Sequence, residues 1–584
     1  MNIPGLSRAE FPLPAGISGH ILRYQAHSPL ASTADHPALC LDCWTFDELC
    51  ALAGLDSSTA FEDLKNLSVH PGGWQSWSAG WELAGNETLP RKVRILPELI
   101  KLTNRDRDTA PPAATPFPVS DDALTGHFIM YLRSGDTYLC IASKEGGVLP
   151  PVTFRIDRRK RRVFAEIFSP GKTLPPGAPL AELSVFASEG YFAFKDTLAV
   201  IYGRLKLCAI GGYESWYNHY TDINEKLILD NLDSLNKTAN IIKLWYIDQK
   251  KPVVFQIDDG WAQAVGDWEV SKKRFPNGLA PVAEKIASAG YIPGLWFAPF
   301  IVTRQARLYA EKPEWLLRDK SGAPVVAGFN PLWDKHYYCL DLSRPEVLAY
   351  IQSFIDRAIG EWGFRYLKLD FLYAGLLDGD FANSGSPWEH YEKACALLTS
   401  RTKTARGQPV TYLGCGVPLG PSYRHFPLSR IGSDTRETWD WPLAKLLGHV
   451  GRPGAYVNLM DTIGRAFLNG VVYINDPDVL FLRTKKCKLR KNEKLLIAVV
   501  NFLLGGQIMF SDDPLELTTA DAALTRQVVS LYTELMDDEY GAVRTGRGMF
   551  RLESRSGRVT GVIDMRKHRI IITKDMRQLL WDEG

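Results

Sequence analysis

From about residue 206 to residue 518 the chain alternates short apolar strands with helical stretches, and this rhythm constrains the fold more than any other feature. The strand candidates are GGYESWYNHY, PVVFQIDDGW, IPGLWFAPF, FRYLKLDFLY, PVTYLGCGVPLG, PLSRIGSDT, GVVYINDPDVL and GGQIMFSDD. Between them lie helical segments such as NEKLILDNLDSLNKTANII, GLAPVAEKIASAG, PEVLAYIQSFIDRAIGEWG and PWEHYEKACALLTSRTK. Eight strands alternating with helices over roughly 300 residues is the pattern of a (β/α)8 TIM barrel. A doubly wound sheet is the alternative, but it would want a glycine-rich phosphate loop, and LGCGVPLG lacks that spacing.

The flanks read differently. Residues 1–205 carry short alternating segments, among them GHFIMYLRSG, DTYLCIASKE, VTFRID, RRVFAEIF and AELSVFAS, and the proline-rich loop DTAPPAATPFPVSDD. They are expected to form an N-terminal β-sandwich domain. Residues 519–584, with MFRLESRS, RVTGVIDM and HRIIITK, again read as strands and are expected to form a small C-terminal antiparallel β domain. Three domains suit 584 residues, which are too many for one hydrophobic core.

Composition narrows the function classes. A net charge of +2 gives no field for nucleic acid or an anionic membrane, and neither is expected as a partner. The longest apolar stretch, LLIAVVNFLLGGQIMF, is shorter than a membrane span and contains Asn501 and Gln507. The first residues, MNIPGLSRAEFPLPAG, show no basic-then-apolar signal pattern, and Cys40-x2-Cys43 has no second pair to complete a zinc site. Reduced thiols in the cytoplasm are therefore expected, and the matches to the glycosylation pattern at Asn66, Asn86 and Asn236 are read as chance. The 16 tryptophans are either core or platforms for flat apolar faces such as sugar rings.

Catalytic groups of a barrel sit at the carboxyl ends of its strands. Polar and aromatic residues collect at those ends here: Trp216 and Tyr217 at the first, Asp258 and Asp259 at the second, Trp296 in the third, Lys368 and Asp370 at the fourth, Cys415 in the fifth, Arg430, Ser433 and Asp434 at the sixth, Asn475, Asp476 and Asp478 at the seventh, and Ser511 and Asp512 at the eighth. Lys368 and Asp370 are two apart, so both side chains share a face, and a lysine there would hold the carboxyl ionised as a nucleophile requires. Asp434, from another strand end, supplies a second carboxyl group. Two carboxyls on separate strands suit glycoside hydrolysis. Structural readings stand beside these: Lys368 with Asp370 as a buried ion pair, Asp258-Asp259-Gly260 as a turn, Trp296 as core, Cys415 as a small buried residue, Arg430 as the partner of a nearby acid. Asp476 and Asp478, either side of a proline, are read as a structural turn.

The ordered set GGWQSWS, FQIDDGW, GDWEV, FPNGL, GLWFAPF, YLKLDF, SRIGSDT and NDPD resembles the motifs of glycoside hydrolase family 36, the melibiase-type α-galactosidases. The resemblance runs from about residue 70 to 480. It implies an N-terminal β-supersandwich, a (β/α)8 barrel and a C-terminal β domain. It further implies a retaining mechanism with no metal or nucleotide cofactor and a small α-galactoside oligosaccharide as substrate. By the same resemblance Asp370 is the nucleophile and Asp434 the general acid/base. Asp258, Asp259, Trp296, Lys368 and Arg430 form the galactose pocket, lined by Trp216 and Tyr217. Trp77 reaches over from the N-terminal domain, and Cys415 lies near the sugar 2-hydroxyl. If Asp258 and Asp259 both serve the site, the strand must have turned before them, since neighbours on a regular strand face opposite ways; Gly260 permits such a turn. Three other functions stay open: an α-galactosyl transferase of the raffinose-synthase kind, an α-N-acetylgalactosaminidase, and a non-catalytic sugar-binding protein.

Overall fold

The computed structural model describes residues 6–28, 30–31, 38–55, 61, 67–84, 87, 123–168, 173–207, 210–333, 335–442 and 453–580. The chain carries a two-sheet N-terminal region, a central parallel barrel and a C-terminal antiparallel sheet. The loop DTAPPAATPFPVSDD, Asn66 and Asn86 lie outside the described residues.

In the N-terminal region a seven-stranded sheet runs, edge to edge, Leu6–Pro12, Gly19–Ala26, Pro179–Glu189, Thr137–Lys144, Ile129–Ser134, Ser68–His70 and Leu83–Ala84. A four-stranded sheet runs Ala38–Thr45, Arg162–Phe168, Val152–Asp157 and Ala123–His127. Period-two burial builds the layer between them. On Val152–Asp157, Val152, Phe154 and Ile156 are buried while their neighbours are only partly so. They meet Leu22, Trp44, Met130, Ile141 and Val185 in one core. The larger sheet is apolar on its other face as well, where Tyr131, Tyr138, Cys140 and Phe186 join the core shared with the barrel.

All eight expected barrel strands form: Gly211–Glu214, Val253–Ile257, Ile292–Phe297, Tyr366–Leu369, Thr411–Gly414, Leu428–Arg430, Ile474–Asp476 with Val479–Leu480, and Ile508–Phe510. The seventh is broken. Its first half pairs with the sixth strand and its second half with the eighth, which closes the ring. Pro477 lies in the break and cannot donate to a ladder, and Asp478 beside it has φ +75°. The barrel floor is apolar, made by Ile210, Val254, Tyr366, Leu413, Leu428 and Ile474.

Each strand is followed by a helix: Glu225–Leu235, Ala280–Ser288, Pro345–Gly360, Pro387–Leu398, the single turn Leu419–Ser422, Ala455–Gly464, Lys491–Leu504 and Thr519–Leu535. The apolar run LLIAVV is part of the seventh of these, and among the described residues no helix is long and apolar enough to cross a membrane. The eighth helix corrects the strand reading of the residues after 518. Thr518 and Asp521 form a capping box, and Leu524, Val528, Leu531, Tyr532 and Leu535 bury one face. The C-terminal sheet begins later and is a five-stranded meander from Tyr540–Gly546 to Arg577–Leu580. The long connection after the third barrel strand holds a three-stranded antiparallel sheet of Ile301–Thr303, Lys335–Cys339 and Val326–Asn330.

Candidate active site

Alternation carries the barrel interior from apolar floor to charged mouth. On the second strand Val254 lies in the floor, and Gln256 and Asp258 follow at two-residue steps; on the fourth, Tyr366 is followed by Lys368 and Asp370. The middle layer is an ionic network closed to water. Lys368 Nζ donates to Asp258 Oδ2 at 2.9 Å and to Glu214 Oε2 at 3.2 Å, and Gln256 Nε2 donates to Asp258 Oδ2 at 2.6 Å. The two acids raise the Lys368 ammonium well above its ordinary value although burial, the largest effect, opposes them.

The lysine acts on Asp370 in the direction its spacing implied, but without a direct ion pair. Its ion pairs go to Asp258 and Glu214, and its effect on Asp370 is through space. Asp370 Oδ2 instead accepts from Trp296 Nε1 at 3.1 Å, and Oδ1 accepts from the backbone N–H of Phe371 at 2.8 Å. Burial raises the Asp370 carboxyl above its ordinary value; the Lys368 charge opposes that rise, and the Asp434 charge adds to it. Asp370 and Asp434 thus feel each other across the mouth.

The second strand ends at Ile257, and the two acids after it part company. Asp258 stays with Lys368. Asp259 Oδ2 accepts from Trp333 Nε1 at 2.7 Å, and burial pushes its carboxyl up to about 7. The chain turns directly after them at Gly260, with φ +114°, where a Cβ would stand 2.7 Å from the Thr221 carbonyl.

On the opposite side Arg430 uses each guanidinium nitrogen. Nε donates to Asp476 at 3.1 Å, one terminal nitrogen to Asp478 at 2.9 Å and the other to Asp434 at 2.9 Å. Asp434 is the exposed member, its side chain 45% accessible, whereas Asp476 and Asp478 are buried. Asp478 also accepts from Tyr217 Oη and, at 2.9 Å, from the backbone N–H of Thr435. The turn read for Asp476 and Asp478 is present, the Asp478 N–H donating to Asp476 Oδ1 at 3.0 Å, and both carboxylates also meet Arg430.

Aromatic rings wall the mouth. Trp296 packs 5.9 Å from Trp333, and Phe371 lies 5.0 Å from Trp333 and 5.1 Å from Trp77. Trp77 comes from the N-terminal loop, as expected of GGWQSWS. It passes over Gly416 (φ +53°), where a Cβ would sit 3.0 Å from its ring. Cys415 is buried beneath, its thiol pushed well up by burial, with the Asp370 charge adding to the rise. Trp216 and Tyr217 lie past the first strand, in the helical turn Trp216–His219; Trp216 is half-buried, 5.2 Å from Tyr220. Among the described residues no cluster of three or more His, Cys, Asp or Glu is disposed to hold a metal ion.

Sequence reasoning missed Glu214, Phe371 and Trp333. Glu214 was findable, because it sits two residues beyond Gly212 on the inward face of the first strand, by the same alternation that singled out Lys368. Trp333 had no such signal, since it lies in a short helical turn of the inserted sheet.

Comparisons with known proteins find melibiase-type relatives. A model of the melibiase family matches residues 213–377. Alpha-galactosidase Mel36A of Lactobacillus acidophilus is 31% identical over 214 residues, 34% of this chain and 26% of that protein. Alpha-galactosidase AgaA of Geobacillus stearothermophilus is 29% identical over 163 residues, 27% of this chain and 20% of that protein. The aligned regions thus span about a quarter or less of these relatives. Among solved structures, an α-galactosidase of Thermus thermophilus in complex with p-nitrophenyl α-D-galactopyranoside superposes with a TM-score of 0.68 at 26% identity, covering 96% of this chain and 100% of that one. A glycoside hydrolase family 36 α-galactosidase of Geobacillus stearothermophilus shares the fold, with a TM-score of 0.56 at 13% identity over 93% of this chain and 70% of that one.

Proposed function

Because the chain belongs to glycoside hydrolase family 36, the melibiase-type proteins, we propose that it is a retaining α-galactosidase acting on terminal α-D-galactosyl residues of small oligosaccharides. The observation that carries this reading is the pairing of a buried carboxylate, Asp370, fixed by two N–H donors, with a half-exposed one, Asp434, fixed by Arg430. In the first step an Asp370 oxygen forms a bond to the anomeric carbon as the glycosidic C–O bond breaks, and Asp434 gives its proton to the departing oxygen. In the second, Asp434 takes a proton from water, which attacks the same carbon and releases Asp370 with configuration retained. Both steps pass through a cationic sugar, favoured by the surrounding carboxylates.

In this reading Asp258, Asp259 and Lys368 bind the sugar hydroxyls and Trp296 covers the apolar ring face, with Trp77, Trp216, Tyr217 and Cys415 completing the pocket. A site that hydrogen bonds the axial 4-hydroxyl of galactose leaves its own buried polar groups unpaired with glucose. The described cysteines are thiols rather than disulfides, which supports a reducing, cytoplasmic setting.

A panel of matched nitrophenyl glycosides tests the proposal. The α-galactoside is expected to exceed the α-glucoside in kcat/KM by on the order of 10⁴. Comparable rates on the two epimers, or no turnover of either by folded protein, would overturn it. Including the 2-acetamido-2-deoxy-α-galactoside, and excess sucrose as acceptor, separates the galactosaminidase and transferase alternatives.

A further inference from the structure

Asp434 is the least sheltered carboxylate of the site, and its hydrogen bond comes from Arg430. A carboxyl group beside an arginine with spare charge would stay ionised and could not give up a proton. Arg430 has no spare charge, because Asp476 and Asp478 also hold it. Of these two, Asp478 does more. Its carboxylate accepts from Arg430, from Tyr217 Oη and from the N–H of Thr435, the residue after Asp434. One buried side chain thus ties the first, sixth and seventh strand ends together around Asp434. It does so from a backbone conformation, φ +75°, that an ordinary residue adopts at a cost, in the gap where the seventh strand is interrupted.

We propose that Asp478 is the positioning residue of the acid/base half of the site: it fixes the guanidinium of Arg430 and partly neutralises it, so that Asp434 is held in place yet can carry a proton. The inference rests on Asp434 being the acid/base. The charged and titratable groups facing Asp478 are Arg430, Asp434, Asp476, Lys368, Glu214 and Tyr217. Burial raises the Asp478 carboxyl to about 6, the Arg430 charge opposing and the Asp434 charge adding. Its ionised form therefore dominates at neutral pH and above.

Asp478→Asn is nearly isosteric, and asparagine tolerates positive φ. It removes one negative charge beside Arg430. Arg430 then pulls harder on Asp434. The alkaline limb of the kcat/KM profile is expected to move down by about half to one pH unit. Melibiose, whose sugar leaving group needs protonation, should lose roughly tenfold more activity near pH 7 than nitrophenyl α-galactoside, which does not. Asp478→Glu, which restores the charge, should return the limb toward its wild-type position even at a reduced rate. A purely structural role would lower both substrates together and leave the limb in place, and that result would overturn the proposal. If Asp478→Asn fails to fold, Tyr217→Phe reads the same coupling. Losing the Tyr217 donor favours protonated Asp478, so the limb should shift the same way by a smaller amount; an unmoved limb would again contradict it. Asp434→Ala keeps the two readings apart: if azide does not accelerate its turnover of the nitrophenyl substrate, the acid/base assignment itself has failed.

Discussion

Asp258 and Asp259 are adjacent in the chain and opposite in environment. Asp258 is neutralised by Lys368, whereas Asp259 has a tryptophan N–H as its donor and is pushed up to about 7 by burial. The direction of that change fixes a pH dependence. A carboxyl raised on folding stabilises the protein fully below its unfolded value, near 3.8. That contribution falls as pH rises through about 7. A tenfold change in proton affinity is worth about 1.4 kcal/mol, so the effect is of the order of a few kcal/mol. Asp259→Asn cannot ionise. Its thermal stability relative to wild type should therefore climb between pH 4 and 7, and parallel Tm curves over that window would show that Asp259 does not titrate there. The same variant should hydrolyse the α-galactoside more slowly, narrowing the gap to the glucoside.

At the scale of elements, the inserted three-stranded sheet carries Trp333 to the pocket, where its ring packs on Trp296 and Phe371 and its N–H holds Asp259. Trp333→Phe keeps an aromatic ring and deletes the donor. The loss of a hydrogen bond to a buried carboxyl costs about 1.5–3 kcal/mol. KM for the nitrophenyl galactoside is expected to rise about tenfold or more, with a smaller change in kcat; an unchanged KM would remove Trp333 from the pocket wall. This sheet was not legible in the sequence. One of its strands is the three residues Ile301–Thr303, too short for a period to show, and Trp333 sits in a turn. The barrel strands were legible for the opposite reason: they are buried on both faces and read as unbroken apolar runs ending in charge. The eighth helix was legible and misread. Leu524, Val528, Leu531, Tyr532 and Leu535 repeat at helical spacing, behind a Thr518–Asp521 cap. At the site, strand-end chemistry picked out Asp370, Lys368, Asp258 and Trp296 but not which of them pair. Which acid a lysine meets depends on neighbouring strands, and the register of Trp296 with Lys368 or of Arg430 with Asp476 is a property of the closed barrel.

At the scale of the whole molecule, the N-terminal loop and the barrel form one site because Arg465 joins them. Its fully buried guanidinium donates to the carbonyls of Gly72, Gln75, Ser76 and Ser78 on the loop and of Ile431 beside the sixth strand. Asp461 accepts from the N–H of Gly80 and from that of Ser433, next to Asp434. The residues that place Trp77 over Phe371 are thus anchored on the helix end that also holds the segment leading to Asp434, and the broken seventh strand that closes the ring supplies Asp476 and Asp478 to Arg430. The proposed reaction turns on a covalent galactosyl ester on Asp370. The most direct measurement is to incubate the protein with a slow-turnover 5-fluoro-α-galactosyl fluoride, digest it, and find by mass spectrometry which peptide carries the sugar. The adduct is expected on Asp370 within YLKLDF, and it should be absent from Asp370→Ala. A sugar on any other carboxylate, or the absence of an adduct while the nitrophenyl galactoside is still turned over, would contradict it.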